Sequence, residues 1–321
     1  MKAVRVTKNG GPDVLKLQDV PDPEPQAGQV VVRVEAAGVN FIDIYQRTGL
    51  YKQQTPFTLG QEGAGRIVAL GSGVSGLAIG DRVAWAGPAG SYAELVAIPA
   101  DRVVAMPRSI TSVQAAAAML QGMTAHYLTS STFPLTHQHT CLVHAAAGGV
   151  GQLLVQMAEL RGARVIATAG SDEKCALARK AGADEAVNYR EHDVAQFVRL
   201  RTKGHGVDVV YDGVGKATWE LSMQCLKPRG MLVLFGNASG AVPAIDPLTL
   251  SARGSLFLTR PRLADYTVGG ELQRRASDVF TWMEAKTLDV HIHREYPLAE
   301  AAQAHRDLES RSTTGKLVLV I

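Results

Sequence analysis

A single run limits the folds open to this chain more than any other stretch. Thr140-Cys141-Leu142-Val143-His144-Ala145-Ala146-Ala147-Gly148-Gly149-Val150-Gly151 begins apolar and ends in a cluster of small residues. An amphipathic segment from Gln152 to Arg161 follows directly. Strand, tight turn and helix in that order is the context in which a glycine cluster signals a dinucleotide. Glycines let the backbone turn sharply and approach a pyrophosphate, which then sits at the positive end of the helix. In the pattern G-x-G-x-x-G the first position is Ala146, and Gly148 and Gly151 fill the other two. An ordinary strand–helix turn is the alternative that the run by itself leaves open.

The surrounding sequence fits the nucleotide reading. From about Ala125 to Phe257, strand-like and helix-like segments alternate, as in a doubly wound parallel sheet. Further strands are expected at 164–169, 185–189, 207–212, 231–235 and 254–259. A helix is expected to start after Ser171, a good N-cap, and to stop at Gly182. An NAD enzyme usually ends its second strand with an acid that binds the ribose hydroxyls. Here that strand ends Thr168-Ala169-Gly170-Ser171. Small residues leave room for a 2′-phosphate, Ser171 can donate to it, and Lys174 can add charge one turn into the helix. Tyr189 can add a hydroxyl or stack near the adenine. Asp172 and Glu173 lie just past the expected acidic position, and Lys174 alone would read as a solvated helix lysine. Together these residues favour NADPH over NADH. The small-residue loop Phe235-Gly236-Asn237-Ala238-Ser239-Gly240 follows the fifth strand, at the end where open α/β sheets bind ligands.

The first 107 residues read differently: short β-branched runs such as Val30-Val31-Val32-Arg33-Val34, broken by glycine and by Pro21-Asp22-Pro23-Glu24-Pro25. A compact, β-rich domain is expected there, a partly open barrel in type. A long helix over 271–286 and a strand over 288–293 come near the C-terminus. Strand alternation would put His291 and His293 on one face, but with no third ligand they read as surface histidines.

With 321 residues the chain has room for two domains. A net charge of +3, with acids and bases interspersed, argues against nucleic acid as the main partner. No apolar run approaches the roughly 18 residues of a membrane span. Met1-Lys2-Ala3-Val4-Arg5-Val6 alternates like a strand and does not read as a signal peptide. Three scattered cysteines form neither a disulfide framework nor a zinc motif. A reducing, cytoplasmic compartment is expected.

Several segments in one order carry a resemblance. They are Gly38-Val39-Asn40-Phe41-Ile42-Asp43-Ile44-Tyr45, Gly60-Gln61-Glu62-Gly63-Ala64-Gly65, Leu120-Gln121-Gly122-Met123-Thr124-Ala125, the glycine turn, Phe235-Gly236-Asn237 and Gly315-Lys316-Leu317-Val318. Over essentially its whole length the chain resembles the zinc-free, zeta-crystallin-like quinone oxidoreductases of the medium-chain dehydrogenase/reductase superfamily. The resemblance implies an α/β fold. A Rossmann-type NADPH domain would span 125–261, and a β-rich GroES-like catalytic domain 1–124 with 262–321, with NADPH in the cleft between them. The zinc-dependent relatives place a cysteine at Asn40 and a histidine at Gln61, so no active-site metal is expected. Without that Lewis acid, alcohol oxidation is disfavoured, while reduction of an electrophilic acceptor stays open.

The resemblance also assigns residues. Asn40, Gln121 and Thr124 would fix the nicotinamide and ribose. Gly148, Gly149, Val150 and Gly151 would cradle the pyrophosphate, with Ser171, Lys174 and Tyr189 at the adenosine end. Phe235, Asn237, Phe257 and Thr259 would border the nicotinamide half, although Phe257 could equally be a core aromatic. Arg311 and Lys316 would help hold the cofactor; without the resemblance they read as solvent-facing. The sixth strand would be a homodimer edge, since an apolar edge needs covering. Tyr45 and Tyr51 flank Gly49 and could border the acceptor, either one donating to its oxygen or packing. The expected activity is hydride transfer from NADPH to a quinone or related conjugated carbonyl. The alternatives are reduction of activated alkenes such as 2-alkenals, or a non-catalytic NADPH- or RNA-binding role.

Overall fold

The computed structural model describes residues 1–321, which divide into two units, Met1–Met123 with Thr267–Ile321 and Thr124–Tyr266. The chain opens with β1 (Lys2–Val6), β2 (Leu15–Asp19), β3 (Gln29–Val39), α1 (Phe41–Thr48), β4 (Phe57–Thr58), β5 (Glu62–Leu70), β6 (Arg82–Ala86), β7 (Leu95–Pro99), β8 (Val104–Ala105) and α2 (Ser112–Tyr127). Then β and α alternate: β9 (Thr140–Val143), α3 (Gly149–Leu160), β10 (Arg164–Ala169), α4 (Asp172–Lys180), β11 (Glu185–Asn188), α5 (Val194–Arg201), β12 (Val207–Asp212), α6 (Trp219–Cys225), β13 (Leu226–Leu234), α7 (Leu248–Ala252) and β14 (Phe257–Thr259). The return is α8 (Glu271–Glu284), β15 (Ile292–Pro297), α9 (Ala301–Glu309) and β16 (Lys316–Val320).

In the first unit, β3 is the organising strand. Its β-branched residues suit a pleated surface, and Val30, Val32, Val34, Ala37 and Val39 all enter a core with Ile67, Val83, Trp85 and Tyr92. β3 pairs antiparallel with β5, β7 and β16, so the C-terminal strand lies directly beside it, Leu317 opposite Val39. That pairing brings the end of the chain to the start of α1. A separate sheet, β2-β1-β4, completes the unit.

The second unit is one parallel sheet in the order β11-β10-β9-β12-β13-β14. Continuous apolar runs such as Cys141-Leu142-Val143 and Val209-Val210-Tyr211 are what a sheet covered on both faces requires. The strand order reverses between β9 and β12, and ligands bind such sheets at the carboxyl strand ends beside this point.

Three expected strands start elsewhere: the fifth at Leu226 rather than Met231, the sixth only at Phe257 rather than Gly254, and the strand expected at 288–293 only at Ile292. Leu288 is buried, but by a turn closing α8: its N–H donates to the Trp282 carbonyl at 3.1 Å. His291 and His293 therefore do not share a regular strand face. Both ring systems approach Thr314 Oγ1, at 3.4 and 3.2 Å.

Candidate active site

In the second unit the turn after β9 is built for an anion. Gly148 caps α3 in an extended conformation with no side-chain cap, and no acid lies in the helix's first turn. The first backbone N–H groups of α3 thus point out of the helix unpaired by it, at its positive end. A Cβ on Gly151 would lie 2.7 Å from Ala146 Cα and closer still to the Ala145 carbonyl. That clash would be with backbone, so only glycine lets α3 pack here. The missing first glycine costs nothing: positive φ falls on Ala145, at 52°, and Ala146 is fully buried without it. On the far side, Asp212 accepts from the Val214 and Gly215 N–H groups and from the Thr218 and Ser222 hydroxyls. It thereby fixes the loop that follows β12.

At the end of β10, Ser171 caps α4 by accepting from the Lys174 N–H at 3.3 Å. Its hydroxyl also hydrogen-bonds Glu173, holding that carboxyl below its ordinary range. Tyr189 is drawn to the same strand end, its N–H donating to the Ala169 carbonyl at 3.1 Å. Burial pushes the Lys174 ammonium below its ordinary value, and the charge of Arg190 adds to the shift. Two cations thus lie near one another where an NAD enzyme carries an acid. Arg190 is a residue that sequence reasoning missed. After β13, the amide orientation its neighbours require lets Asn237 accept from Arg260 Nη2 at 3.0 Å, and Arg260 Nη1 also ties the Leu234 and Gly236 carbonyls. Phe235 and Thr259 are half-buried. Phe257 is 57% exposed, which overturns the core-aromatic alternative.

In the first unit the structure gathers a buried polar cluster. Lys316 is 1% exposed; its Nζ donates to Glu62 Oε2 at 2.5 Å and to Asn40 Oδ1 at 2.7 Å. The solvent-facing reading of Lys316 is therefore wrong. Asn40 Nδ2 donates to Glu62 Oε2 at 2.8 Å, and Gln121 Nε2 donates to Asn40 Oδ1 at 3.3 Å. The second Glu62 oxygen takes the Leu120 N–H at 2.5 Å. Gly38 makes room for this: a Cβ there would lie 2.7 Å from Glu62 Cδ. Asn40 is thus a hub inside the protein, while Gln121 Oε1 is buried without a partner. Thr124 begins the second unit and is buried. Tyr45 and Tyr51 stack edge to face at 5.2 Å; Tyr45 is buried and Tyr51 is 36% exposed. Arg311 lies on an exposed turn after α9, with φ at 59°.

No local pattern marks the chain of residues behind this hub. Arg47, 1% exposed, pairs with Glu309 at 2.6 Å and donates to His305 Nδ1 at 3.1 Å. Because arginine only donates, His305 carries its proton on Nε2, facing the Tyr92 oxygen at 3.2 Å. The Tyr92 hydroxyl in turn donates to Asp43 Oδ2 at 3.1 Å. Asp43 also takes the Asn40 N–H, and its Oδ1 is unpartnered. Burial raises the Asp43 carboxyl from 3.8 to about 7, and burial with the Arg47 charge lowers His305 from 6.5 to about 3. The signs oppose. The folded protein keeps a proton on Asp43 that the unfolded chain releases, so that contribution is lost as pH rises from about 4 to about 7. It refuses a proton at His305 that the unfolded chain takes, so stability rises from about pH 3 to about 6.5. The Asp43→Asn variant isolates the first slope. Between about pH 5 and about pH 8 it should gain about 2 kcal/mol on the unsubstituted protein in denaturant unfolding. A difference that is flat across this range rules out the raised carboxyl.

Residues 149–285 match the zinc-binding dehydrogenase family, and residues 26–108 the alcohol dehydrogenase GroES-like domain. The quinone oxidoreductase of Pseudomonas aeruginosa is 45% identical over 99% of both chains. The chain belongs to the quinone oxidoreductase family of medium-chain dehydrogenases/reductases. The crystal structure of Escherichia coli quinone oxidoreductase complexed with NADPH superposes with a TM-score of 0.98, at 40% identity and 100% coverage of each chain. A 2-haloacrylate reductase from a Burkholderia species is 39% identical over 99% of this chain and 98% of its own. Within that family this chain has no group of three or more His, Cys, Asp and Glu side chains placed to hold a metal.

Proposed function

We propose that the protein is an NADPH-dependent quinone reductase. One observation carries the cofactor choice: β10 ends without an acid, and Lys174 and Arg190 gather beside it. A dinucleotide fits the open N-terminus of α3 and the close approach that Gly151 permits. Gly148, Gly149, Val150 and Gly151 hold the pyrophosphate, while Ser171, Lys174, Arg190 and Tyr189 take the 2′-phosphate end. Phe235, Asn237, Phe257 and Thr259, with Asn40, Gln121, Thr124 and Arg311, serve the nicotinamide half, and Lys316, buried against Glu62, supports Asn40 from behind. NADPH supplies the hydride when bound. The protein's own contribution is positioning and exclusion of water. Tyr51, the more exposed of the tyrosine pair, is the donor to the acceptor oxygen as charge develops there.

Stopped-flow oxidation of NADPH with 9,10-phenanthrenequinone, benzoquinones and 2-alkenals tests this reading. Quinones are expected to turn over fastest, and no turnover of any acceptor overturns it. Likeness to the 2-haloacrylate reductase favours activated alkenes as the second substrate class; faster turnover of 2-alkenals than of quinones would put them first. No helix is long and apolar enough to cross a membrane, in keeping with a cytoplasmic enzyme. The strand β14, at the edge of the parallel sheet, is a fitting homodimer edge.

A further inference from the structure

Three neighbouring strands of the first unit carry arginines in one row. Arg33 on β3 stands directly opposite Arg66 on β5, and Arg66 stands directly opposite Arg82 on β6. Directly opposed residues share a face of the sheet, and like charges so placed destabilise it. The fold answers only part of that charge. Arg82 Nη1 donates to the Pro107 and Arg108 carbonyls at 3.2 and 3.3 Å, and its Nη2 to the Ile110 carbonyl at 2.5 Å. Those bonds tie the segment before α2 to β6, but carbonyls neutralise no charge. Arg66 Nε donates to one Glu35 oxygen at 3.1 Å, and the other accepts from the Ser112 hydroxyl. Arg108 is exposed, and its guanidinium makes no ion pair.

Arg66, Arg82 and Arg108 line one recess of about 470 Å³, together with Glu35, Ile110 and Val113. Three cations against one acid leave it two positive charges in excess. We propose that this recess binds a phosphate dianion carried on a small organic group, with Arg66 and Arg108 as its ligands and Arg82 holding the frame. A carboxylate has two oxygens, which one guanidinium fork already satisfies, whereas a phosphate has a third for a second guanidinium. The charge of a phosphate monoester near pH 7, close to −2, matches the excess. The volume is that of a small-molecule pocket, and Ile110 and Val113 give the organic part an apolar wall. All of these residues belong to the first unit, whereas the glycine turn and Lys174 belong to the second.

The test is titration calorimetry on the full chain carrying Lys174→Glu, which keeps the anion site expected after β10 from contributing. Phenyl phosphate is expected to bind saturably at one site per chain. Benzenesulfonate, a monoanion of similar shape, should bind about 10-fold more weakly or less. Adding Arg108→Ala should weaken phenyl phosphate by about 10-fold or more, the value of a charge-assisted hydrogen bond. The same change should leave the unfolding midpoint where it was, since that exposed side chain has no ion pair to lose. Absence of saturable binding overturns the site. Benzenesulfonate binding as tightly as phenyl phosphate reduces it to general charge attraction, and an affinity unchanged by Arg108→Ala places the anion elsewhere; either result overturns the proposal. Inorganic phosphate binding as tightly as phenyl phosphate overturns the organic part and makes free phosphate the ligand.

Discussion

Methionine at Lys316 is expected to cost the protein about 3–5 kcal/mol of stability, read as the shift in its denaturant unfolding midpoint. The ammonium is nearly fully buried against a Glu62 carboxylate that is 0% exposed. Burial pushes Lys316 below its ordinary value while Glu62 pulls the other way, so each charge is tolerated only because of the other. Removing the lysine leaves Glu62 with the Leu120 and Asn40 hydrogen bonds but no countercharge. Breaking a buried pair from one side is costly, whereas neutralising both partners is often close to neutral. The variant carrying Lys316→Met with Glu62→Gln is therefore expected within about 1–2 kcal/mol of the unsubstituted protein. If the single change costs less than about 1 kcal/mol, the carboxylate has found water or a proton and the pair does not anchor β16 to β5.

This ion pair also marks the limit of what the sequence could tell. The glycine turn, the absent acid after β10 and the alternation of strands and helices are local patterns, readable because each depends on residues within one or two turns of each other. Lys316 meets partners 254 and 276 positions away, and nothing in its neighbourhood distinguishes a buried lysine from a solvated one. The same holds for Asp43, Arg47, Tyr92 and His305, whose spacing along the chain carries no period. Arg190 stood next to a residue already chosen, yet only the pairing of β10 with β11 brings it toward Lys174. The misplaced strand before Ile292 shows the opposite failure. Leu288, Val290 and Ile292 alternate correctly, but the ladder with β16 begins only at Ile292.

The second large effect is expected at Lys174. Glutamate there should weaken NADPH binding by about 100-fold or more while changing NADH binding less than about 2-fold, both measured by fluorescence titration. A charge-assisted hydrogen bond to a phosphate contributes about 1.5–3 kcal/mol, and a carboxylate in its place adds repulsion. A structural role for Lys174 is disfavoured by its position in the first turn of α4, beside Asp172 and Glu173. A cation at a helix N-terminus opposes the macrodipole, so its removal should leave stability unchanged or raise it by a few tenths of a kcal/mol. Its burial and its approach to Arg190 likewise cost the free protein something that a bound dianion would repay. Arg190→Ala should act in the same direction, and the two changes together by less than their sum, since both face one phosphate. The loss should shrink as salt is raised, because the charges are only partly buried. Equal weakening of NADPH and NADH by Lys174→Glu would show that the residue supports the strand end and not the 2′-phosphate.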